Sequence, residues 1–158
     1  MNPAKPSRSA GLLLYRRSGD SFEVLLGHMG GPFFARRDDG AWSIPKGEYT
    51  ADEQPLAAAR REFAEEFGAP PPATDAAVAL GEVRQRNGKV VTAWAVEADF
   101  DADTIVSNTF EIEWPPRSGR RQEFPEIDRA AWFGVDAARV KMIVGQDALL
   151  DRLLEHVL

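Results

Sequence analysis

A chain of 158 residues, 44% hydrophobic and 28% charged, has the material for one globular core. The absence of cysteine excludes disulfides and thiolate metal sites, and two histidines, His28 and His156, are too few for a multi-histidine zinc centre. A formal net charge of −6 argues against broad attraction to nucleic acid, so no stable nucleic-acid partner is expected.

Residues 1–8 are polar, contain two prolines and lack an apolar signal core, so a flexible N-terminus is expected. No apolar run reaches the length of a membrane span, which makes a cytoplasmic protein of one domain, residues 1–158, the expectation. Residues 9–17 and 22–28 read as two strands around a turn at Ser18, Gly19 and Asp20. A loop rich in glycine, proline and charge follows over 29–40, then a short apolar piece at 41–44 and a second loop at 45–51. Residues 53–67 carry Leu56, Phe63 and Phe67 at helical spacing. Asp52 is the expected cap, Pro55 falls in the first turn, and Gly68 ends the helix. Residues 76–84 and 89–98 read as a hairpin closed at Asn87-Gly88. Further strands are expected over 109–114 and 130–133, and an amphipathic helix over 146–157. Strands on both sides of one central helix indicate an α/β (α+β) domain with a mixed sheet between helices.

The central helix concentrates acid. Glu65 and Glu66 lie one turn beyond Glu62 on the same face, and no lysine or arginine lies within the cluster. Each such like-charge pair costs a few tenths of a kcal/mol, on the order of the usual penalty at that spacing. A divalent cation would convert that repulsion into coordination, and oxygen ligands suit Mg²⁺ or Mn²⁺. The competing reading is a solvated acidic face.

The neighbours of the cluster weigh against that bland reading. Gly47, Glu53, Arg61, Glu62, Phe63, Glu65, Glu66, Gly68 and Ala69 stand in the order G-x5-E-x7-R-E-U-x-E-E-x-G-U, where U is bulky or apolar. Only Ala69 is small for its position. This pattern over residues 47–69 resembles the Nudix box, and the approach Trp42-Ser43-Ile44-Pro45-Lys46-Gly47 resembles the lead-in to one. The resemblance implies a sandwich of a mixed sheet between helices. It also implies metal-dependent hydrolysis of a phosphoanhydride in a nucleoside diphosphate linked to another group. On the same resemblance Glu62, Glu65 and Glu66 are metal ligands, joined by a backbone carbonyl at Lys46 or Gly47. Glu62 is also a possible base, Arg61 orients a glutamate of the cluster, and Glu53 supports the site from outside. Glu53 reads equally as a favourable acid near a helix N-terminus, and both roles can coexist. Phe63 and Phe67 face away from the acids and belong to the core. The resemblance further implies an acid from outside the box. Glu126 is preferred for it as ligand or base, with Glu123 second.

Substrate contacts are less marked. Lys46 reads either as a phosphate ligand or as a solvated loop lysine. Arg117, Arg120 and Arg121 form a basic loop, and Arg36 and Arg37 another, each able to clasp a polyphosphate. Trp42, Trp94 and Trp132 read as packed residues, and Trp114, beside Pro115 and Pro116, as the surface on which a base would stack. Family members that cleave ADP-ribose or diadenosine polyphosphates tend to carry a proline or a tyrosine downstream of the box. This chain has Gln85, Arg86 and Asn87 there, so neither signal is present. The partner implied is a nucleotide-type small molecule, with a homodimer possible. The alternative is a catalytically silent nucleotide sensor on the same scaffold, although the intact acids argue against it.

Overall fold

The computed structural model describes residues 7–157. The expected flexible terminus lies mostly outside them. Arg8, however, already belongs to strand β1 (Arg8–Ser18), where it pairs with Val90 and bonds Glu82 at 2.8 Å.

Strand β1 is the spine of the domain. Its apolar run is buried on both faces, as a central strand flanked by helices requires. Strand β2 (Ser21–Met29) returns antiparallel to it through the turn at Gly19, and β6 (Val90–Glu97) lies parallel along its other edge. The pairing of β1 with β2 runs only from Tyr15 to Ser18 on the β1 side. Beyond that point the two strands part. Strand β3 (Trp42–Ser43) joins β2, while β4 (Lys46–Glu48) joins β1 at Ser9, Ala10 and Gly11. The splay therefore places the segment from Trp42 to Glu48 between them. Strands β5 (Val78–Arg84) and β9 (Ile127–Gly134) pair with β6 and β2, completing a mixed seven-stranded sheet. Strands β7 (Thr109–Glu113) and β8 (Arg121–Pro125) form a separate two-stranded hairpin.

Helix α1 (Pro55–Phe67) covers one face of the sheet. Phe63 and Phe67 pack with Ala10, Leu12 and Leu14 of β1, all buried. Helices α2 (Val135–Lys141) and α3 (Ala148–Val157) cover the other, where Leu149, Leu150 and Leu153 meet Leu13, Val24 and Leu26. The mixed sheet between helices is the expected architecture. At the end strand β5, Arg152 of α3 donates from Nη1 to the carbonyls of Leu80 and Glu82, beside an irregularity at Ala79 and Gly81. His28 is buried and bonds Asp128 and the Arg37 carbonyl, tying the 30–41 loop to β9. Among the described residues no helix is long and apolar enough to cross a membrane.

Several expectations change in detail. Helix α1 begins at Pro55, and the residue at its N-cap is Gln54, without a side-chain cap bond, rather than Asp52. Glu53 instead closes a turn onto the Thr50 carbonyl, which leaves its carboxylate free to reach along the helix. The helix ends as expected at Gly68, whose φ of 70° suits glycine and whose N–H bonds Ala64. Strand β4 replaces part of the loop read at 45–51. Strand β8 and helix α2 fall where no element is expected, because Arg121–Pro125 lacks apolar alternation and Val135–Lys141 is barely two turns long.

Phe63 is fully buried between α1 and β1. Phe63→Ala is therefore expected to cost about 3–5 kcal/mol, the usual range for emptying such a site. Urea denaturation measures it, and a loss below about 1 kcal/mol would mean the ring does not anchor the helix.

Candidate active site

One cavity of about 390 Å³ opens where α1, β4, the start of β6 and the β8–β9 junction meet. Glu62, Glu65 and Glu66 enter its wall from α1, Lys46 and Gly47 from β4, Lys89 from the turn before β6, and Glu126 from the residue between β8 and β9. Helical spacing aligns the three α1 acids, and the splay of β1 from β2 brings the β4 backbone up to them.

Arg61 organises the helix acids. It grips Glu53 with two parallel hydrogen bonds, Nε to Oε2 at 2.8 Å and Nη2 to Oε1 at 3.0 Å. Its Nη1 donates to Glu62 at 2.7 Å and to Glu65 at 3.2 Å. These bonds to Glu53 first, then to the other two, raise the guanidinium pKa further, while the Arg61 bond lowers that of Glu53. Glu66 takes no part in this fork. Its Oε2 accepts the backbone N–H of Lys46 at 3.1 Å, bridging helix and loop.

Burial sets the charge state of the remainder. It raises Glu66 to about 8, against the opposing pull of Lys46, with Glu62 and Glu126 adding like charge. Burial also raises Glu62, opposed by its bond to Arg61, and raises Glu126, opposed by Lys46 and Lys89. Lys46 is lowered by burial and then by Lys89, while Glu66, Glu126 and Glu62 favour its charge. The cavity thus gathers three acids, Glu62, Glu66 and Glu126, and one lysine, Lys46, whose charged forms burial makes costly.

The sequence matches the NUDIX domain over residues 5–153. The chain belongs to the Nudix family. Solved Nudix structures share its fold at low identity. A Caenorhabditis elegans Ap4A hydrolase, described as a binary complex, superposes with a TM-score of 0.63 at 21% identity, covering 96% of this chain and 97% of its own. The NUDIX domain of Shewanella oneidensis NrtR, complexed with ADP ribose, gives 0.64 at 14%, covering 98% and 90%. RenU, a Nudix hydrolase from M. smegmatis, gives 0.54 at 22%, covering 95% and 85%. No curated protein matches the sequence significantly.

The Nudix box therefore runs through β4 and α1, and the structure brings Lys46, Gly47, Glu62, Glu65, Glu66 and Glu126 to one cavity. Glu53 and Arg61 stand behind the wall as its bracing. Among the described residues no three acids or histidines converge as a ready metal cage. Arg61 draws Glu62 and Glu65 toward itself, whereas Glu66 turns to the loop amide. The donor set nevertheless suits a hard divalent cation: it offers only oxygens, with Glu62 and Glu66 buried and a glycine beside them. A Cβ on Gly47 would lie 2.0–2.3 Å from the carboxyl atoms of Glu62, so the missing side chain is the room the carboxylate occupies.

Other expected contacts lie elsewhere. Glu123 is exposed and bonds Thr109 across the β7–β8 hairpin, so of the two expected acids only Glu126 lines the cavity. Arg121 pairs with Glu111 at 2.7 Å on the same hairpin. Arg117 and Arg120 lie in its turn, away from the cavity wall, with Arg117 at a φ of 62°. Trp114 leads into that turn and packs edge-on against the exposed ring of Phe33. Trp42 and Trp132 are packed as expected, with Trp132 donating to the Phe100 carbonyl at 2.9 Å. Lys89 and Asn108 line the cavity but belong to no motif, so only the fold reveals them. A larger cavity of about 620 Å³ lies on the α2 side, between Arg37, Arg86, Arg139 and Val144. Its lining holds no glutamate and none of the box acids.

Gly47→Ala is expected to keep the fold, since the flexible end of Glu62 can move, but to displace that carboxylate and weaken Mg²⁺ binding. Calorimetric titration beside a thermal melt checks this. A variant with native metal affinity would place Glu62 outside the metal site.

Proposed function

We propose that this chain hydrolyses a phosphoanhydride bond of a nucleoside diphosphate linked to another group, with Mg²⁺ or Mn²⁺. The observation that carries the reading is the joint presence of Glu62, Glu65, Glu66, Glu126, Lys46 and Lys89 in the wall of one cavity. Glu62, Glu65 and Glu66, with the Gly47 carbonyl, are the groups that would hold the metal. When bound, the metal supplies charge neutralisation and orientation for the phosphates. Lys46 and Lys89 supply ammonium donors for the same phosphates. Arg61, anchored by Glu53, holds Glu62 and Glu65 in place along the helix.

In the reaction, a water oxygen forms a new bond to phosphorus and the bridging anhydride oxygen departs with the other phosphoryl group. The water's proton passes to a carboxylate. Glu126 suits that role because it lies outside the Arg61 fork and burial raises its pKa. Glu62 is the other candidate. Trp114, Arg117, Arg120 and Arg121, expected at the substrate, lie outside the cavity wall, and no substrate contact is assigned to them. The Ap4A hydrolase and the ADP-ribose complex among the similar structures nominate dinucleoside polyphosphates and ADP-ribose for the first assays.

A substrate panel that includes nucleoside triphosphates and nucleotide sugars tests the reading, scored by phosphate, pyrophosphate or nucleoside monophosphate release. Turnover is expected with Mg²⁺ or Mn²⁺ and none with chelator. Turnover that persists in chelator rejects the metal mechanism, whereas ligand binding without turnover favours a sensor. Glu66→Gln is expected to lower kcat by orders of magnitude with native circular dichroism, and a near-normal kcat would remove this helix face from the site.

Metal uptake should also be linked to protons. Burial raises the metal-free Glu66 carboxyl to about 8, so below that pH each cation bound at Glu66 must expel a proton. Mg²⁺ affinity is expected to rise with pH toward about 8 and level off above it. Calorimetry in buffers of different ionisation enthalpy reads the released proton. An affinity that stays flat across this range contradicts the assignment.

A further inference from the structure

We propose that Gln146 is a positioning residue that holds the two lysine-bearing segments of the cavity, at Lys46 and at Lys89, in fixed relation to each other. This rests on the reading of the two lysines as phosphate donors.

Gln146 precedes helix α3 and is fully buried, as are Ser43 and Gln85 beside it. Both of its amide hydrogens and its oxygen are engaged. The Oε1 accepts the Ile44 N–H at 3.2 Å, and Nε2 donates to Ser43 Oγ at 2.9 Å and to Gln85 Oε1 at 2.8 Å. Each partner leads to one lysine. Ser43 and Ile44 run directly into Pro45 and Lys46, and Ser43 Oγ locks back onto the Ile44 carbonyl at 2.7 Å. Gln85 donates from Nε2 to Asn87 Oδ1 at 3.3 Å, and Asn87 Oδ1 also accepts the Lys89 N–H at 3.0 Å. The Gln85 N–H bonds the Lys89 carbonyl at 2.8 Å. One side chain therefore joins the β3–β4 segment to the β5–β6 turn, two pieces of chain that are far apart in sequence.

An apolar residue of similar volume would leave the Ile44 N–H and the Gln85 Oε1 without their Gln146 partner, so the buried amide has a geometric use. Three directional bonds fix position more narrowly than packing does, and an unmade bond at a buried site is costly. Two ammonium groups that repel each other, near acids that attract both, have no preferred separation of their own. The backbone that carries them must supply it.

The test is Gln146→Leu, which removes all three bonds at similar volume. Amide hydrogen exchange at Ile44, Lys46 and residues 85–89 is expected to quicken about tenfold relative to Leu13 and Ala93 in the sheet centre. With Mg²⁺ held at saturation, so that any change in metal affinity is removed from the comparison, affinity for inorganic pyrophosphate should fall about tenfold. Gln85→Leu cuts only the Lys89 arm and should loosen 85–89 while Ile44 and Lys46 remain protected. It keeps the test decisive if Gln146→Leu does not fold. Exchange that quickens evenly across the sheet, or local loosening with native pyrophosphate affinity, would overturn the proposal. If the unmodified protein fails to bind pyrophosphate, the functional reading falls, and hydrogen exchange still decides whether Gln146 joins the segments.

Discussion

The hydrogen bond from the Lys46 amide to Glu66 is the contact on which the arrangement turns. It fastens a helix to a loop at the place where both carry charge into a shared space. The helix on its own would present three repelling carboxylates to water. The loop on its own would leave a lysine amide and a glycine unsupported between two strands that have separated. Joined, they surround a small volume in which carboxylate charge is expensive and cations are welcome. Arg61 completes the design from the solvent side. It holds Glu53, Glu62 and Glu65 in one fork and lowers the pKa of Glu53, while burial pushes Glu66 toward neutrality.

Rigidity behind this site comes from both layers. Phe63 and Phe67 root α1 in the β1 face, on the side of the helix next to the acids. The β3–β4 segment is held by β1 on one flank, β2 on the other, and Gln146 from behind. Few of these supports use long-range charge. Most are packing or short buried hydrogen bonds, which water and salt do not weaken.

Much of this was legible in the residue order, for identifiable reasons. The box residues belong to one continuous stretch, so their spacing alone aligns Glu62, Glu65 and Glu66 and lets Arg61 reach them. The Asn87-Gly88 hairpin and the glycine stop at Gly68 are local turn chemistry, readable without a fold. What escaped depends on contacts between distant segments. Lys89 and Asn108 enter the cavity because β6 lies parallel to β1 and the chain returns past α1, which no local pattern encodes. Glu53 looked like a helix residue and proved to precede the helix, because Pro55 sets the true start. Strand β8 has no apolar alternation since its hairpin is largely exposed and is defined by pairing alone. The hairpin arginines looked like a cationic loop, but Arg121 spends its charge on Glu111 within the same hairpin.

The guanidinium of Arg152 over the Leu80 and Glu82 carbonyls has an implication for assembly. Strand β5 ends the main sheet, and such a margin ordinarily offers a row of peptide groups to any extended segment that drifts against it. Here two of the acceptors already have a donor from the same molecule, beside a local break in regular pairing. A second subunit growing the sheet from that side would first have to displace an arginine, so self-association through side-to-side strand extension is disfavoured. Any pairing of subunits would have to use another part of the surface.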